Sequence, residues 1–286
     1  MPARCRRKNS HLPCLIAKIL ANYADPNLLP DVIMPPNPSL PALVIQFSDD
    51  DQPAYLGEWL SRNGQPWKLI NTAAGGRLPL DLSGFGGLAL LGGGMSAYDD
   101  LPVLQAARDL IGVAVEQDIP VLGHCLGGQL LAQVLGAEVA PGPQPEMGWQ
   151  AVSFNDDFLV ARYWLGARAR QTLMHWHYDA FSLPPGAVQL ARSADCVCQA
   201  FAVGELHLGM QFHIEVDREK IETWLEGSAL EVIRNEHLRS VQTLDQIAAG
   251  IEQYLPASQD LANHIYTRWR SRFRVLDLQS ARSDRD

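Results

Sequence analysis

The sequence has no run approaching the ~18 uninterrupted apolar residues that a membrane-spanning helix requires. Nor does it open on a signal-peptide core, because Cys14-Leu15-Ile16-Ala17 is followed at once by Lys18. Cysteine is scarce. The five, at 5, 14, 125, 196 and 198, are odd in number and scattered in spacing, which argues against a disulfide framework. Positive charge is scarce too: 23 Lys and Arg stand against 32 Asp and Glu, a net charge of -9. Residues 1–10 hold Arg4, Arg6, Arg7 and Lys8 with no acid, and residues 268–286 hold six Arg against three Asp. The body between them carries 13 basic and 29 acidic groups. A nucleic-acid groove needs a clustered basic face, so none is expected on the main fold. These absences point to a cytoplasmic protein that binds neither membrane nor nucleic acid.

What is present is core. Of 286 residues, 47% are hydrophobic and 19% charged, a globular balance. Residues 25–41 contain six prolines, a semi-rigid stretch that reads as a leader over 1–41, within which Met34 offers an alternative start. From 42 onward short apolar runs alternate with helical patterns. Strands are expected at 42–47, 67–71, 87–91 and 120–123, and helices at 53–63, 101–117 and 128–135. Such alternation implies parallel βαβ units and an α/β fold. Residues 148–213 read as five strands (148–154, 172–177, 187–193, 197–203, 207–213), and the chain beyond Asp217 as helices over 217–238, 241–254 and 257–273. The expected organisation is a catalytic domain over 42–216 and a helical extension over 217–286 packed on it.

Gly123-His124-Cys125-Leu126-Gly127-Gly128-Gln129 joins a buried strand to a helix with glycines on both sides of the cysteine. A strand that reverses at once into a helix strains the residue at the turn and projects its side chain from the sheet. A thiol placed there sits at a helix N-terminus, where the dipole favours thiolate. The plainer reading of Cys125 is a small buried hydrophobe. Gln211-Phe212-His213-Ile214-Glu215 supplies what a thiol nucleophile needs, a base and a carboxylate to orient it. On a strand His213 and Glu215 face one side, although a polar sheet edge gives the same pattern. Gly92-Gly93-Gly94 lets backbone N–H groups approach a ligand, or is simply a Gly-rich turn.

The succession GGGMS, GHCLGGQLLAQVLGAEV, HWHYDAFSLPPGA and GMQFHIEV resembles the class I (triad) glutamine amidotransferases, in particular stand-alone members akin to the amidotransferase domain of GMP synthase. The resemblance spans about 42–216. It implies a mostly parallel, flavodoxin-like sheet flanked by helices, and hydrolysis of the glutamine side-chain amide with release of ammonia. Cys125 would be the nucleophile, His213 the general acid/base and Glu215 its orienting carboxylate. Backbone N–H groups of Gly93 or Gly94 and of Leu126 would form the oxyanion hole. Gln129 would contact glutamine, and His177 and Asp179 would lie beside its α-amino group. No cofactor is implied; the partners implied are L-glutamine and a synthase subunit or acceptor enzyme. Gly94 stands where the family's Gly-Gly-Pro loop has proline, and no ATP-pyrophosphatase domain is recognisable, which leaves the ammonia acceptor open.

Other readings were weighed. His175-x-His177-x-Asp179 has metal-site spacing, but no further ligand cluster follows it, so no metal is expected. Cys196 and Cys198 read as core packing. A γ-glutamyl amide or peptide hydrolase of the same fold would use the same residues, and a non-catalytic glutamine-sensing subunit would not need them intact. Trp224, Leu225, Leu230, Ile233 and Leu238 read as a helix face packed on the body. Arg268, Arg270, Arg272 and Arg274 read as a solvated basic end.

Overall fold

A computed structural model describes residues 40–155 and 158–274; the expected leader up to residue 39 and the last twelve residues lie outside the described range. Its strands are β1 (Ala42–Gln46), β2 (Trp67–Asn71), β3 (Gly87–Leu90), β4 (Val121–His124), β5 (Val139–Phe154), β6 (Arg170–Phe181), β7 (Val188–Arg192), β8 (Ala200–Val203) and β9 (His207–Met210). The helices are α1 (Ala54–Arg62), α2 (Pro102–Glu116), α3 (Leu126–Val134), α4 (Leu159–Leu165), α5 (Arg218–Gly227), α6 (Ala229–Asn235) and α7 (Leu244–Ser271). One sheet holds all nine strands in the order β2-β1-β3-β4-β9-β8-β7-β5-β6. Strands β2, β1, β3, β4 and β9 pair in parallel, and the rest continue antiparallel from β9.

Alternation along the parallel strands divides the core into two layers. Ala42, Val44 and Ala89 face α1 and α7, in a cluster with Leu56, Leu60, Ile265 and Trp269. Leu43, Ile45, Leu88 and Leu90 face α2 and α3, in a second cluster with Leu110, Ile111 and Leu130. Both faces of these strands are therefore dry, as a parallel sheet covered by helices requires. The C-terminal helix α7 belongs to the first layer: Trp269 is fully buried and donates from Nε1 to the carbonyl of Pro120, 3.1 Å away. Trp269→Ala should cost about 3–5 kcal/mol by emptying that site, read as a lower urea midpoint at unchanged slope.

Three expectations are corrected. Strand β5 begins at Val139 instead of 148, because its Pro-Gly-Pro-Gln-Pro stretch is absorbed by a register shift between Pro141 and Glu146. Helix α7 runs unbroken through Pro256. Proline removes one backbone donor, but buried Ile247, Ile251 and Leu255 before it and Leu261, Ile265 and Trp269 after it hold the axis on both sides. Leu230 and Ile233 are exposed, so the apolar face expected at the start of the C-terminal region reduces to Ile221, Trp224 and Val232, with Leu225 and Leu238 packed against it.

The basic end is also less solvated than expected. Arg268 and Arg272 stack on the Tyr163 ring with centroid distances of 4.9 and 5.4 Å, and Arg272 pairs with Glu205. Arg270 Nε donates to Gln65 Oε1 at 3.1 Å.

Candidate active site

Strands β3, β4 and β9 are neighbours, and their carboxyl ends open on one crevice, the usual place for ligands in an open α/β sheet. Cys125 stands at the end of β4 with φ 47° and ψ -107°, in the left-handed region that side chains other than glycine rarely adopt. Its backbone is held in that conformation: Cys125 N donates to Met210 O at 2.8 Å, and Gln129 N donates to Cys125 O at 2.9 Å. The turn is possible because α3 presses directly on the sheet. A Cβ at Gly123 would stand 2.6 Å from the backbone of Gly127, and one at Gly128 would stand 2.6 Å from Met210 O.

His213 and Glu215 follow β9. They lie past the end of the strand, which stops at Met210, and His213 is anchored by a single bridge in which its N–H donates to Met174 O at 2.8 Å. The chain then bends, and the two side chains meet through the bend: His213 Nδ1 is 2.6 Å from Glu215 Oε1. His213 lines the same cavity as Cys125, and its Nε2 has no hydrogen-bond partner among the described residues. Burial disfavours the imidazolium, but the Glu215 carboxylate and the contacts with Cys125 outweigh it and raise the His213 pKa to about 10.

The sign of the pH effect follows. A group whose folded pKa is raised stabilises fully below its unfolded value, about 6.5, and the contribution is lost as pH rises through the folded one. The melting temperature should therefore fall between pH 6.5 and about 10. His213→Gln should lack this part of the decline; an identical decline in both proteins would refute the assignment.

Glu215 is itself fully buried. Burial opposes its charge, yet Lys220, His213 and His124 hold its carboxyl well below the usual range. Lys220 Nζ donates to Glu215 Oε1 at 3.1 Å and to Gln52 O at 2.8 Å, and it pairs with Asp51. Lys220 is 4% exposed; burial lowers its pKa, and Asp51 and Glu215 more than restore it. Trp224 closes the group from the side, its ring 4.9 Å from His213 and 5.1 Å from Lys220 Nζ. His124 Nε2 is 3.9 Å from Glu215 Oε2, and burial lowers its pKa.

A cavity of about 260 Å³ opens over the sulfur, walled by Gly93, Gly94 and Leu126 on one side and by Trp176, Asp179 and Trp224 on the other. Gln129 donates from Nε2 to Asp179 O at 3.3 Å and to Gln211 Oε1 at 3.2 Å. Gln211 Nε2 in turn reaches Cys125 Sγ at 3.5 Å. Tyr98 donates to Asp179 Oδ1 at 3.2 Å, and His177 Nδ1 is 3.1 Å from Asp179 O.

The family model for class-I glutamine amidotransferases matches residues 71–230, more than half of the chain and a span that includes the elbow, the cavity wall and the His213–Glu215 pair. The chain belongs to the class-I glutamine amidotransferase family. As a class-I glutamine amidotransferase it is an enzyme of that class. A glutamine amidotransferase-like protein of Salmonella typhimurium, YfeJ, is 28% identical over 211 residues, 72% of this chain and 88% of that one. GMP synthase of Thermomicrobium roseum is 39% identical over 132 residues, which are 46% of this chain and 23% of the synthase. A glutamine amidotransferase structure from Methylobacillus flagellatus superposes with a TM-score of 0.81 at 35% identity, covering 84% of this chain and 98% of that one. One from Thermotoga maritima gives 0.73 at 27% identity, covering 81% and 98%.

All nine residues expected at the site, Cys125, His213, Glu215, Gly93, Gly94, Leu126, Gln129, His177 and Asp179, lie on this crevice or directly behind it. Cys196 and Cys198 lie away from it as buried free thiols, their pKa values pushed up to about 12, chiefly by burial. Gln211, Lys220 and Asp51 were missed. Gln211 was findable, since it sits two residues before His213. Asp51 follows a parallel strand at its carboxyl end, where the position alone was a signal.

Proposed function

We propose that this amidotransferase hydrolyses the side-chain amide of L-glutamine through Cys125, His213 and Glu215. One observation carries the reading: a cysteine fixed on a strained strand-to-helix turn opens on the same cavity as a buried histidine, which a carboxylate holds at 2.6 Å. The Cys125 thiolate adds to the amide carbon, and the oxyanion is held by backbone N–H groups of Leu126 and of Gly93 or Gly94. The C–N bond breaks as His213 passes its proton to the departing ammonia, leaving a γ-glutamyl thioester. His213 then takes a proton from water, which adds to the thioester and releases glutamate. Gln129 contacts the bound glutamine, and Asp179, beside His177, receives its α-ammonium group.

Ammonia then reaches water, a small acceptor or a partner synthase subunit. The match to less than a quarter of a GMP synthase chain supports a separate partner. A cytoplasmic setting fits the free thiols at Cys125, Cys196 and Cys198. The test is ammonia release from glutamine beside a panel of γ-glutamyl amides and peptides. Glutamine should be turned over, and faster with a cell fraction containing the partner. Release confined to substituted γ-glutamyl amides would replace this reading with that of a γ-glutamyl hydrolase.

A further inference from the structure

Behind the cavity, strands β5 and β6 bring together three buried side chains that the proposed reaction does not use as reacting groups. His175 and His177 alternate on β6 and therefore share a face. Glu146 is the cross-strand partner of His177 on β5, placed there by the register shift that follows Pro141. The sequence sets Asp179 beside His175-x-His177, but the fold groups Glu146 with the two histidines instead. One ligand atom from each residue lies within 4.8 Å of the others, and exposures are 2%, 0% and 5% for Glu146, His175 and His177.

The hydrogen bonding leaves this cluster short of positive charge. His177 Nδ1 faces the carbonyl of Asp179 at 3.1 Å, and a carbonyl can only accept, so Nδ1 carries the proton. The other ring nitrogen, Nε2, faces Glu146 Oε2, an acceptor, at 3.2 Å. Either a second proton on the ring or a metal ion must bridge the two. His175 has no hydrogen-bond partner on either ring nitrogen among the described residues, although it is fully buried.

We propose that Glu146, His175 and His177 form a binding site for a divalent transition-metal ion of the zinc class. Two imidazoles and one carboxylate are a donor set suited to such ions. Ligand atoms at ~2.0–2.1 Å from one tetrahedral Zn²⁺ stand about 3.3 Å apart. The His177–Glu146 pair already has that spacing, and the unpartnered His175 ring is free to complete it. The outer contacts match as well: His177 gives its other ring nitrogen to a backbone carbonyl, and Gln199 Nε2 donates to Glu146 Oε2 at 2.5 Å. His177 also lines the cavity, so an ion has a route in. Bound there, the ion ties β5 to β6 directly behind Asp179.

The test uses full-length Cys125→Ala protein, which removes the thiol that lines the cavity, stripped of metal with a chelator. Titration with Zn²⁺ against a chromophoric chelator should show one site with a submicromolar Kd. Glu146→Gln and His175→Asn should each weaken binding at least about 100-fold. The Co²⁺ form should show tetrahedral d–d bands without a thiolate charge-transfer band. No tight site, or a site unchanged in both variants, overturns the proposal: a proton on His177 then fills the gap alone. A thiolate band also overturns it by placing the ion on Cys196 or Cys198. Should the variants fail to fold, the Co²⁺ spectrum of the Cys125→Ala protein decides by itself.

Discussion

Cys125→Ala and Cys125→Ser should each abolish glutamine hydrolysis, lowering kcat by about 10⁴-fold or more while glutamine still binds. Alanine removes the atom that would carry the thioester. Serine keeps a nucleophile-sized group but replaces a readily ionised thiol by a hydroxyl, with only the same histidine to activate it. A stability measurement separates this role from packing. Cys125 has φ 47°, and holding a non-glycine residue there costs about 1–2 kcal/mol. Cys125→Gly relieves that strain, so it should be more stable than Cys125→Ala by about 1 kcal/mol while equally inactive. A cysteine retained only as a buried hydrophobe predicts the reverse: small effects on turnover and a stability loss that grows with the volume removed. Substantial turnover by either the Ala or the Ser protein would sink the nucleophile assignment.

The same residue shows why part of the site was readable from sequence. An elbow is a local event in which strand, glycines, cysteine and helix follow one another without a gap, so residues 121–134 announce it. His213 and Glu215 were readable for a related reason, being two apart, though the bend after β9 brings them together and the pleat of a strand does not. Lys220, Asp51 and Trp224 are different. Lys220 sits in the first turn of α5 beyond an ordinary cap, Asp217, whose side chain accepts from Lys220 N at 2.8 Å. By itself that is an amphipathic helix start with a solvated lysine. Only the sheet order, which sets β1 two strands from β4 and three from β9, turns Lys220 inward between Asp51 and Glu215. Glu146 falls outside the strand expected over 148–154, whereas β5 starts at Val139 and tolerates Pro141, Pro143 and Pro145 through its irregular register. Leu230 and Ile233 fail in the opposite direction: their spacing fits a buried stripe, but α6 is one short helix on the outside of the fold.

Lys220→Met should reduce kcat by about 10²–10⁴-fold with a much smaller change in KM, since Lys220 acts on the proposed triad through Glu215 and is a positioning residue. Its ammonium is the cation shared by two buried carboxylates, Asp51 and Glu215, and its pKa is raised by both. Removing it leaves two like charges in a site that excludes water, at a cost of about 3–5 kcal/mol. Glu215 then loses much of what holds its pKa down. A depressed carboxyl stabilises above its unfolded pKa and loses that contribution as pH falls through the folded one. In Lys220→Met the acid limb of both stability and activity should therefore move upward in pH. Asp51→Asn in the same protein removes the second carboxylate, so the double variant should be more stable than Lys220→Met alone, with a coupling of about 0.5–3 kcal/mol. Arg62–Glu58 serves as the contrast, a solvent-exposed pair on α1 whose loss should leave stability essentially unmoved. A folded Lys220→Met protein with kcat within twofold of the parent and an unmoved acid limb would show that Glu215 orients His213 unaided. An unchanged double variant would separately remove Asp51 from the network. The buried pair is thus expected to matter more for keeping one carboxylate ionised and aimed than for net stability, because an apolar replacement of all its members would relieve the same desolvation that the pair merely offsets.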